Sequence, residues 1–276
     1  MTTWHLWLDQ NPRPGFLNMA IDSALLELAE GDGVGFLRLY RWEPACLSFG
    51  RHEPALRRYR RERIEALGLD VVRRPTGGRA VWHAAELTYA VAAPSGALGP
   101  LAASHRAVHE MLAAALRRLG VEVGLAPRAP AVAVSGGACF ATAAGGELIS
   151  GGRKLAGSAQ LRARAAFLQH GSVLLAGDQS LVAAVSAGAC NEVAAGAQAA
   201  VRSRARARPQ PAPRPETTLA EVLGRAVGFE EVAVAIADEA RGWQRTWREV
   251  RRGDPIVERA APLADVFRSS AWTWAR

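Results

Sequence analysis

The spacing of apolar residues along the chain changes repeatedly between the period of strands and the period of helices. Strand-type runs occupy residues 4–8, 36–42, 45–50, 69–74, 80–83 and 87–94. Helix-type spacing occurs at 15–30, 55–68 and 104–120, with Ser104 as the predicted N-cap of the last of these helices. The first 120 residues therefore predict interspersed strands and helices.

The second half of the chain predicts shorter elements. Between 121 and 175, β-type runs are separated by glycine pairs, and helical spacing returns at 179–189, 217–227 and 233–250. Because no regular strand–helix–strand alternation appears, the pattern favours an α+β fold with mixed β-sheets flanked by helices.

Composition suggests how the chain is divided. An Arg/Pro-rich stretch at 201–216 is expected to be a linker or mobile loop. We expect residues 1–200 to form the main domain and 217–276 to form a helical C-terminal segment packed on the same domain.

The charge predicts an anionic partner. The 276 residues are 49% hydrophobic and 22% charged, and the formal net charge is +8. Nucleic acid, phosphorylated small molecules and acidic proteins all fit such a charge. The N-terminus lacks a secretory-signal pattern, and the three cysteines form no CxxC pair. We therefore expect a cytoplasmic protein with no membrane association.

Lys154 is the single lysine among 34 lysine and arginine residues. Arginine can supply surface charge, but it cannot replace a compact ammonium in a tight site or an amine that must lose its proton. A Gly-Gly pair precedes Lys154, and the small residues Ala156, Gly157, Ser158 and Ala159 follow it and leave room for a substrate. The alternative is a codon bias that left one lysine by chance.

A second glycine-containing stretch is "RRPTGGRAVWH", residues 73–83. Gly77 and Gly78 allow backbone N–H groups to approach a ligand, and Arg74 and Arg79 add positive charge. A plain hairpin turn with surface arginines explains the stretch equally well.

Cys139 precedes Lys154 in "SGGACFATAAGGELISGGRK". A neighbouring ammonium lowers the pKa of a thiol and activates it, so the two residues form a candidate nucleophile and its electrostatic partner. A small buried hydrophobic residue is the alternative for a lone cysteine.

The six histidines form no metal-binding motif, so we expect no metal site. His105 and His109 share one face of a helix and are interpreted as surface or half-buried residues. His83 and His170 lie beside the glycine-containing stretches and are candidates for lining a site.

Taken together, "RRPTGGRAVWHAAELTYAV" and "GGRKLAGSAQLRARAAFLQHGSVLL" resemble the catalytic domain shared by lipoate-protein ligases, octanoyltransferases and biotin-protein ligases. "NMAIDSALLE" and "RLYRWEPACLSFGRHE" fit the same family. The Cys139-Phe140 pair upstream of the GRK motif is similar to that of the cysteine-dependent protein octanoyltransferases. The resemblance implies the class II biotin synthetase-like fold and covers roughly residues 4–190.

The resemblance also implies an activity. Such enzymes move an octanoyl or lipoyl group from an acyl carrier protein to a lysine of a lipoyl-domain protein, such as the glycine cleavage H protein, through a cysteine thioester. They need no cofactor, and we expect a monomer that does not bind nucleic acid. Cys139 and Lys154 are then the catalytic residues. The implied substrate-binding residues are Arg74, Gly77, Gly78, Arg79, Ala80, His83, Gly157, Ser158, Ala159, His170 and Gly171.

Two alternatives stay open at this point. An ATP-dependent lipoate-protein ligase would use the same lysine with ATP and Mg²⁺, and a non-catalytic relative would bind only an acyl group or nucleic acid. Ala84 stands where many relatives carry an aspartate, and "ATAAGG" replaces a more aromatic and polar loop after Phe140.

Overall fold

Two β-sheets organise the chain in the computed structural model, which describes residues 2–127, 145–188, 214–243, 246–251 and 255–275. The strands are β1 (Trp4–Leu8), β2 (Gly35–Tyr40), β3 (Cys46–Phe49), β4 (Asp70–Arg73), β5 (Val81–His83), β6 (Glu86–Pro94), β7 (Gly124–Leu125), β8 (Leu148–Ser150), β9 (Arg153–Arg162), β10 (Ala166–Leu174) and β11 (Trp247–Glu249). The large sheet has the order β11-β1-β2-β6-β10-β9-β8-β7, and the small sheet has the order β4-β3-β5.

Both sheets are mixed. β1 pairs in parallel with β2 and β11, and β3 pairs in parallel with β4, whereas the other neighbours are antiparallel. The helices are α1 (Gly15–Asp32), α2 (Ala55–Arg58), α3 (Arg61–Ala66), α4 (Leu101–Arg118), α5 (Ser180–Ala184), α6 (Leu219–Leu223), α7 (Phe229–Trp243), α8 (Pro255–Arg268) and α9 (Ser270–Thr273). The observed architecture is the α+β fold that the sequence predicts.

Helices cover both faces of the large sheet because its central strands alternate apolar side chains between the two faces. On β10, Leu168 belongs to the apolar cluster that packs with α1 and α8. Phe167 belongs to the cluster that packs with α4 and α7. Burying a side chain of this size contributes about 1.5–3 kcal/mol, so each strand stabilises both layers.

Three local predictions from the sequence are wrong. The predicted helix 55–68 is two helices, because Tyr59 is extended and buried and donates a hydrogen bond from its hydroxyl to Glu53 Oε1 at 2.8 Å. Ser104 is inside α4, which begins after Pro100. Residues 247–249 of the predicted helix 233–250 form β11, since they pair with the exposed edge of β1.

The C-terminal helices contact the rest of the chain through a buried arginine. Arg73, which is 1% exposed, donates to the carbonyl oxygens of Trp272 and Thr273 at 3.1 Å and to that of Gly50 at 2.7 Å. Residues 189–213, which include most of the predicted linker 201–216, lie outside the described residues, so the division into 1–200 and 217–276 stays a prediction. No helix in the described part of the chain has the length and apolar character of a membrane span.

Candidate active site

A cavity lies between the small sheet and the face of the large sheet that carries α1. The space between its walls is about 430 Å³ when the part that is open to solvent is included. Apolar and small side chains form much of its wall, and a few polar groups converge on it. The lining residues are Met19, Tyr40, Trp42, Arg74, Val81, His83, Thr88, Gly157, Ser158, Ala159, His170, Gly171 and Ser172.

Lys154 is buried at the edge of this cavity. Its side chain is 2% exposed, and its Nζ lies 2.8 Å from Oε2 of Glu147, whose side chain is 4% exposed. The other carboxylate oxygen of Glu147 accepts a hydrogen bond from the backbone N–H of Ser158. Because an ion pair in a low-dielectric interior needs good geometry and further hydrogen bonds, this pair holds the ammonium in a defined position.

A β-bulge in β9 determines which way Lys154 points. Leu148 pairs with Ala156 and Ile149 pairs with Lys154, so Leu155 is an extra residue on β9. In a regular strand, Lys154 and Gly157 would face opposite sides of the sheet. The extra residue brings them to the same side, which is a common use of bulges next to functional sites.

Gly157 is the residue against which the lysine side chain packs. A Cβ at this position would lie 2.8 Å from Cε and 3.0 Å from Nζ of Lys154. Only glycine therefore permits the observed position of the ammonium. Since Gly157 also lines the cavity, the ammonium lies directly beside the space that a substrate would fill.

His170 connects the large sheet to the loop that follows β4. Its Nδ1 lies 2.9 Å from Asp22 Oδ2, and its Nε2 lies 2.6 Å from Thr76 Oγ1. Burial lowers the pKa of His170, so the ring is neutral at neutral pH. Nδ1–H then donates to the Asp22 carboxylate, and Nε2 accepts from the Thr76 hydroxyl, which positions the loop before Gly77.

Asp22 itself belongs to a buried charge network. Arg38 donates to Asp22 Oδ1 at 2.9 Å and to Asp9 Oδ2 at 2.8 Å, and Tyr40 donates from its hydroxyl to Asp22 Oδ2 at 2.8 Å. Arg38 is fully buried, so two carboxylates balance its charge. This network rigidly supports the wall of the cavity formed by α1 and β2.

His83 is held in a similar way on the other side of the cavity. Its Nδ1 lies 2.7 Å from Glu86 Oε1, its Nε2 lies 2.7 Å from Ser48 Oγ, and its ring stacks on Trp42 at 4.1 Å between centroids. The Ser48 hydroxyl also accepts a hydrogen bond from Arg74 at 2.9 Å. The imidazole is therefore oriented by its partners at the position where it lines the cavity.

Arg74 organises the Gly77–Gly78 turn. Its Nη2 donates to the carbonyl oxygen of Gly77 at 2.9 Å and to that of Arg79 at 2.6 Å. Gly78 has a φ of 94°, a conformation that favours glycine. The buried guanidinium thus fixes the turn, and its charge also faces the cavity, where it suits a carbonyl-bearing or anionic group.

A polar cluster lies on the opposite face of β9, next to α4. The Ser158 hydroxyl contacts the hydroxyl of Tyr89 and Nε2 of His109. Burial and the neighbouring His105 lower the pKa of His109 to about 3, so its ring is neutral. His109 is fully buried, which corrects the prediction of a surface or half-buried residue.

The structure brings many of the predicted site residues to one cavity. The residues that line it are Arg74, His83, Gly157, Ser158, Ala159, His170 and Gly171. Gly77, Gly78 and Arg79 form the adjoining turn. Ala80 is buried in the apolar cluster of the small sheet, whereas the next residue, Val81, lines the cavity.

Several supporting residues were missed by sequence reasoning. Asn18 and Asp22 are polar residues at positions that share a helix face with Leu25 and Ala29, and this was a readable signal of a buried polar site. Glu147 carried no such signal in the local sequence pattern. Its contact with Lys154 depends on the pairing of β8 with β9.

The predicted nucleophile Cys139 lies in residues 128–144, outside the described residues. Cys46 is described and is fully buried. Burial and the neighbouring Asp70 raise its pKa well above the usual thiol value, so it stays protonated and is a poor nucleophile. Within the described ranges, no group of three or more His, Cys, Asp or Glu side chains is placed to hold a metal ion.

Comparison with known proteins gives the fold and then the family. A crystal structure of lipoate-protein ligase A bound with ATP superposes with a TM-score of 0.75 over 99% of both chains, at 19% identity. A bipartite lipoate protein ligase from Thermoplasma acidophilum gives a TM-score of 0.75 at 19% identity, over 99% of this chain and 97% of that chain. The predicted lipoate-ligase fold is confirmed.

The family is defined by sequence. The model of the Lipoyl protein ligase A/B catalytic domain matches residues 14–241. Octanoyltransferase LipM of Exiguobacterium sibiricum is 36% identical over 99% of both chains, and Octanoyltransferase LipM of Symbiobacterium thermophilum is 39% identical over 93% of this chain and 95% of that protein. The chain belongs to the lipoyl protein ligase A/B catalytic domain family, as the resemblance predicted.

Proposed function

We propose that this protein is an octanoyltransferase of lipoate biosynthesis that acylates lipoyl-domain proteins. The observation that carries the proposal is the identity of 36–39% to octanoyltransferases along nearly the whole chain. The likeness to ATP-dependent ligases is a likeness of fold at 19% identity. The acyltransferase is therefore favoured over the ligase alternative.

The cavity suits an acyl chain that ends in a carbonyl group. Met19, Trp42 and Val81 supply apolar wall. The polar groups that converge on the cavity would bind the carbonyl end, where charge develops during acyl transfer. An octanoyl group is then a substrate, and no cofactor takes part.

The chemistry needs a nucleophile, for which we propose Cys139. Its thiolate attacks the thioester carbonyl of the donor, the donor thiol leaves, and an acyl-enzyme thioester forms. A lysine amine of the acceptor then attacks this thioester, which gives an amide and returns the thiolate. Lys154 would stabilise the thiolate and the oxyanion of each tetrahedral intermediate, since its ammonium is held beside the cavity by Glu147.

The partners follow from this scheme. The donor would be an octanoyl acyl carrier protein, and the acceptor a lipoyl-domain protein such as the glycine cleavage H protein. One structural neighbour is described as a lipoate ligase with its E2 lipoyl domain, which supports an acceptor of the lipoyl-domain class.

The test is incubation with octanoyl carrier protein followed by intact-mass measurement. We expect an octanoyl adduct on the wild type that is labile to hydroxylamine and absent in Cys139→Ser. Lys154→Arg should fold but transfer the group at least about a hundredfold more slowly, because a guanidinium is larger and cannot occupy the space beside Gly157. Activity that requires ATP and free lipoate and persists in Cys139→Ser would contradict the proposal.

A further inference from the structure

A dense group of arginines occupies the segment 51–67, which contains the end of the loop after β3 and helices α2 and α3. Six arginines and three glutamates lie in this segment, and one of the glutamates, Glu53, is buried. We use the name arginine face for the two leucines of this segment together with its exposed and half-exposed arginines that have no ion pair with a described residue. The arginine face consists of Arg51, Leu56, Arg57, Arg60, Arg63 and Leu67.

The charge of the arginine face is not neutralised locally. Arg57 and Arg63 are exposed, and neither forms an ion pair with a described residue. Arg61 is paired with Glu65 at 2.7 Å, which leaves Glu62 as the one exposed carboxylate of the segment without an ion pair to a described residue. A surface of this kind attracts an acidic partner and raises its association rate.

The arginine face also carries apolar side chains. Leu56 is 52% exposed and Leu67 is 50% exposed, and they are two of the four large apolar side chains that are exposed in the described residues. Arginine combined with exposed apolar residues is typical of a protein–protein interface. Nucleic-acid surfaces instead combine arginine with polar and aromatic side chains, so a protein partner is favoured.

The arginine face is connected directly to the cavity. The backbone N–H of Arg51 donates to the carbonyl oxygen of Thr76 at 2.8 Å, and Thr76 is bonded to His170, which lines the cavity. Gly50 packs so closely on the Gly77–Gly78 turn that a Cβ there would lie 2.0 Å from the Gly78 carbonyl oxygen. A partner bound on the arginine face would therefore be held beside the loop that borders the cavity.

We propose that the arginine face is the docking surface for an acidic carrier protein that delivers the acyl thioester, an inference that rests on the proposed function. We assign the arginine face to the carrier and not to the acceptor because of the separation that the reacting group must cross. The turn and the cavity separate the arginine face from Lys154, and a carrier presents its acyl group on a long flexible arm that can cross this separation. An acceptor lysine is short and must approach the cavity directly.

The experiment compares two thioester donors. Octanoyl carrier protein needs the docking surface, whereas octanoyl-N-acetylcysteamine is small and uncharged and does not. The face variant is Arg57→Glu with Arg63→Glu. The matched control is Arg164→Glu with Arg248→Glu, which changes the net charge equally. Arg164 is in the loop between β9 and β10 and Arg248 is on β11; both are exposed, and neither has an ion pair with a described residue. Leu56→Ser tests the apolar part.

We expect the face variant to raise the KM for octanoyl carrier protein at least about tenfold, with its acylation by octanoyl-N-acetylcysteamine unchanged. The control should stay within about twofold of wild type with both donors. Leu56→Ser should raise the carrier KM about threefold to tenfold. Added salt should raise the carrier KM of the wild type more than that of the face variant, because salt screens the interaction.

Equal KM values for octanoyl carrier protein in the face variant and the control would overturn the docking proposal. The proposal would be overturned in the same way if the face variant lost only transfer to the acceptor protein, or only binding of nucleic acid. If both donors acylate the wild type in that case, the proposed function stands and only the docking proposal fails. Failure of both donors to acylate the wild type would overturn the proposed function and the docking surface with it.

Discussion

The close contact between Gly157 and Lys154 gives a sharp test of the site. In Gly157→Ala, the new Cβ would lie 2.8 Å from Cε and 3.0 Å from Nζ of Lys154. Carbon atoms in contact are about 3.5–4.0 Å apart, so the end of the lysine must withdraw by about 0.5–1 Å. The Nζ–Oε2 distance of 2.8 Å to Glu147 would then approach or pass the limit of a hydrogen bond.

The expected effects on stability and activity differ in size. A flexible side-chain end can move, so we expect Gly157→Ala to cost only about 1–2 kcal/mol of unfolding free energy. Displacement of a catalytic group by about 1 Å can cost about a hundredfold in rate, so the acylation rate should fall between about tenfold and a hundredfold. Urea unfolding and single-turnover acylation by octanoyl-N-acetylcysteamine measure the two effects separately.

Gly124→Ala is the matched control, since it makes the same change in β7 of the same sheet, where a Cβ would contact nothing within 4 Å. It should leave the acylation rate within about twofold of wild type. If the Gly157→Ala enzyme is acylated at the wild-type rate, the reaction does not require the observed position of Lys154, and the reasoning is refuted.

Three other changes test the surroundings of the site. Glu147→Gln removes the carboxylate from a buried ammonium, so we expect a loss of about 3 kcal/mol in urea unfolding together with slower acylation, and an unchanged stability would contradict the buried pair. Gly171→Ala places a Cβ 2.2 Å from the backbone oxygen of Gly157, which forces β9 and β10 apart, and a fall in Tm of more than about 5 °C should follow. In the folded protein the pKa of His109 is lowered to about 3, whereas its value in the unfolded chain is about 6.5. As the pH falls from 6.5 towards 3, the unfolded chain therefore binds a proton that the folded protein does not bind, and the folded state loses stability. Wild type should lose about 2 kcal/mol more than His109→Gln between pH 6.5 and 5, and equal losses would show that the ring is not held neutral.

Local patterns predicted most elements because they depend on near neighbours in the chain. The helix spacing of 15–30 and the strand runs at 4–8 and 87–94 each correspond to an observed element. The prediction failed where a distant contact prevails over the local pattern. Tyr59 breaks a helical pattern where its backbone forms a β-bridge with Ser186, and residues 247–249 form a strand because β1 offers an open edge.

The sequence by itself determined that Lys154 is unique, that small residues follow it and that the chain resembles a lipoate-ligase family. These are properties of residue identity and order. Tertiary structure decided that Glu147 holds the ammonium, because β8 must pair with a bulged β9 before the two side chains can meet. It also decided that Asp22 and Thr76 share His170, since α1, β10 and the loop after β4 meet only when both sheets are packed.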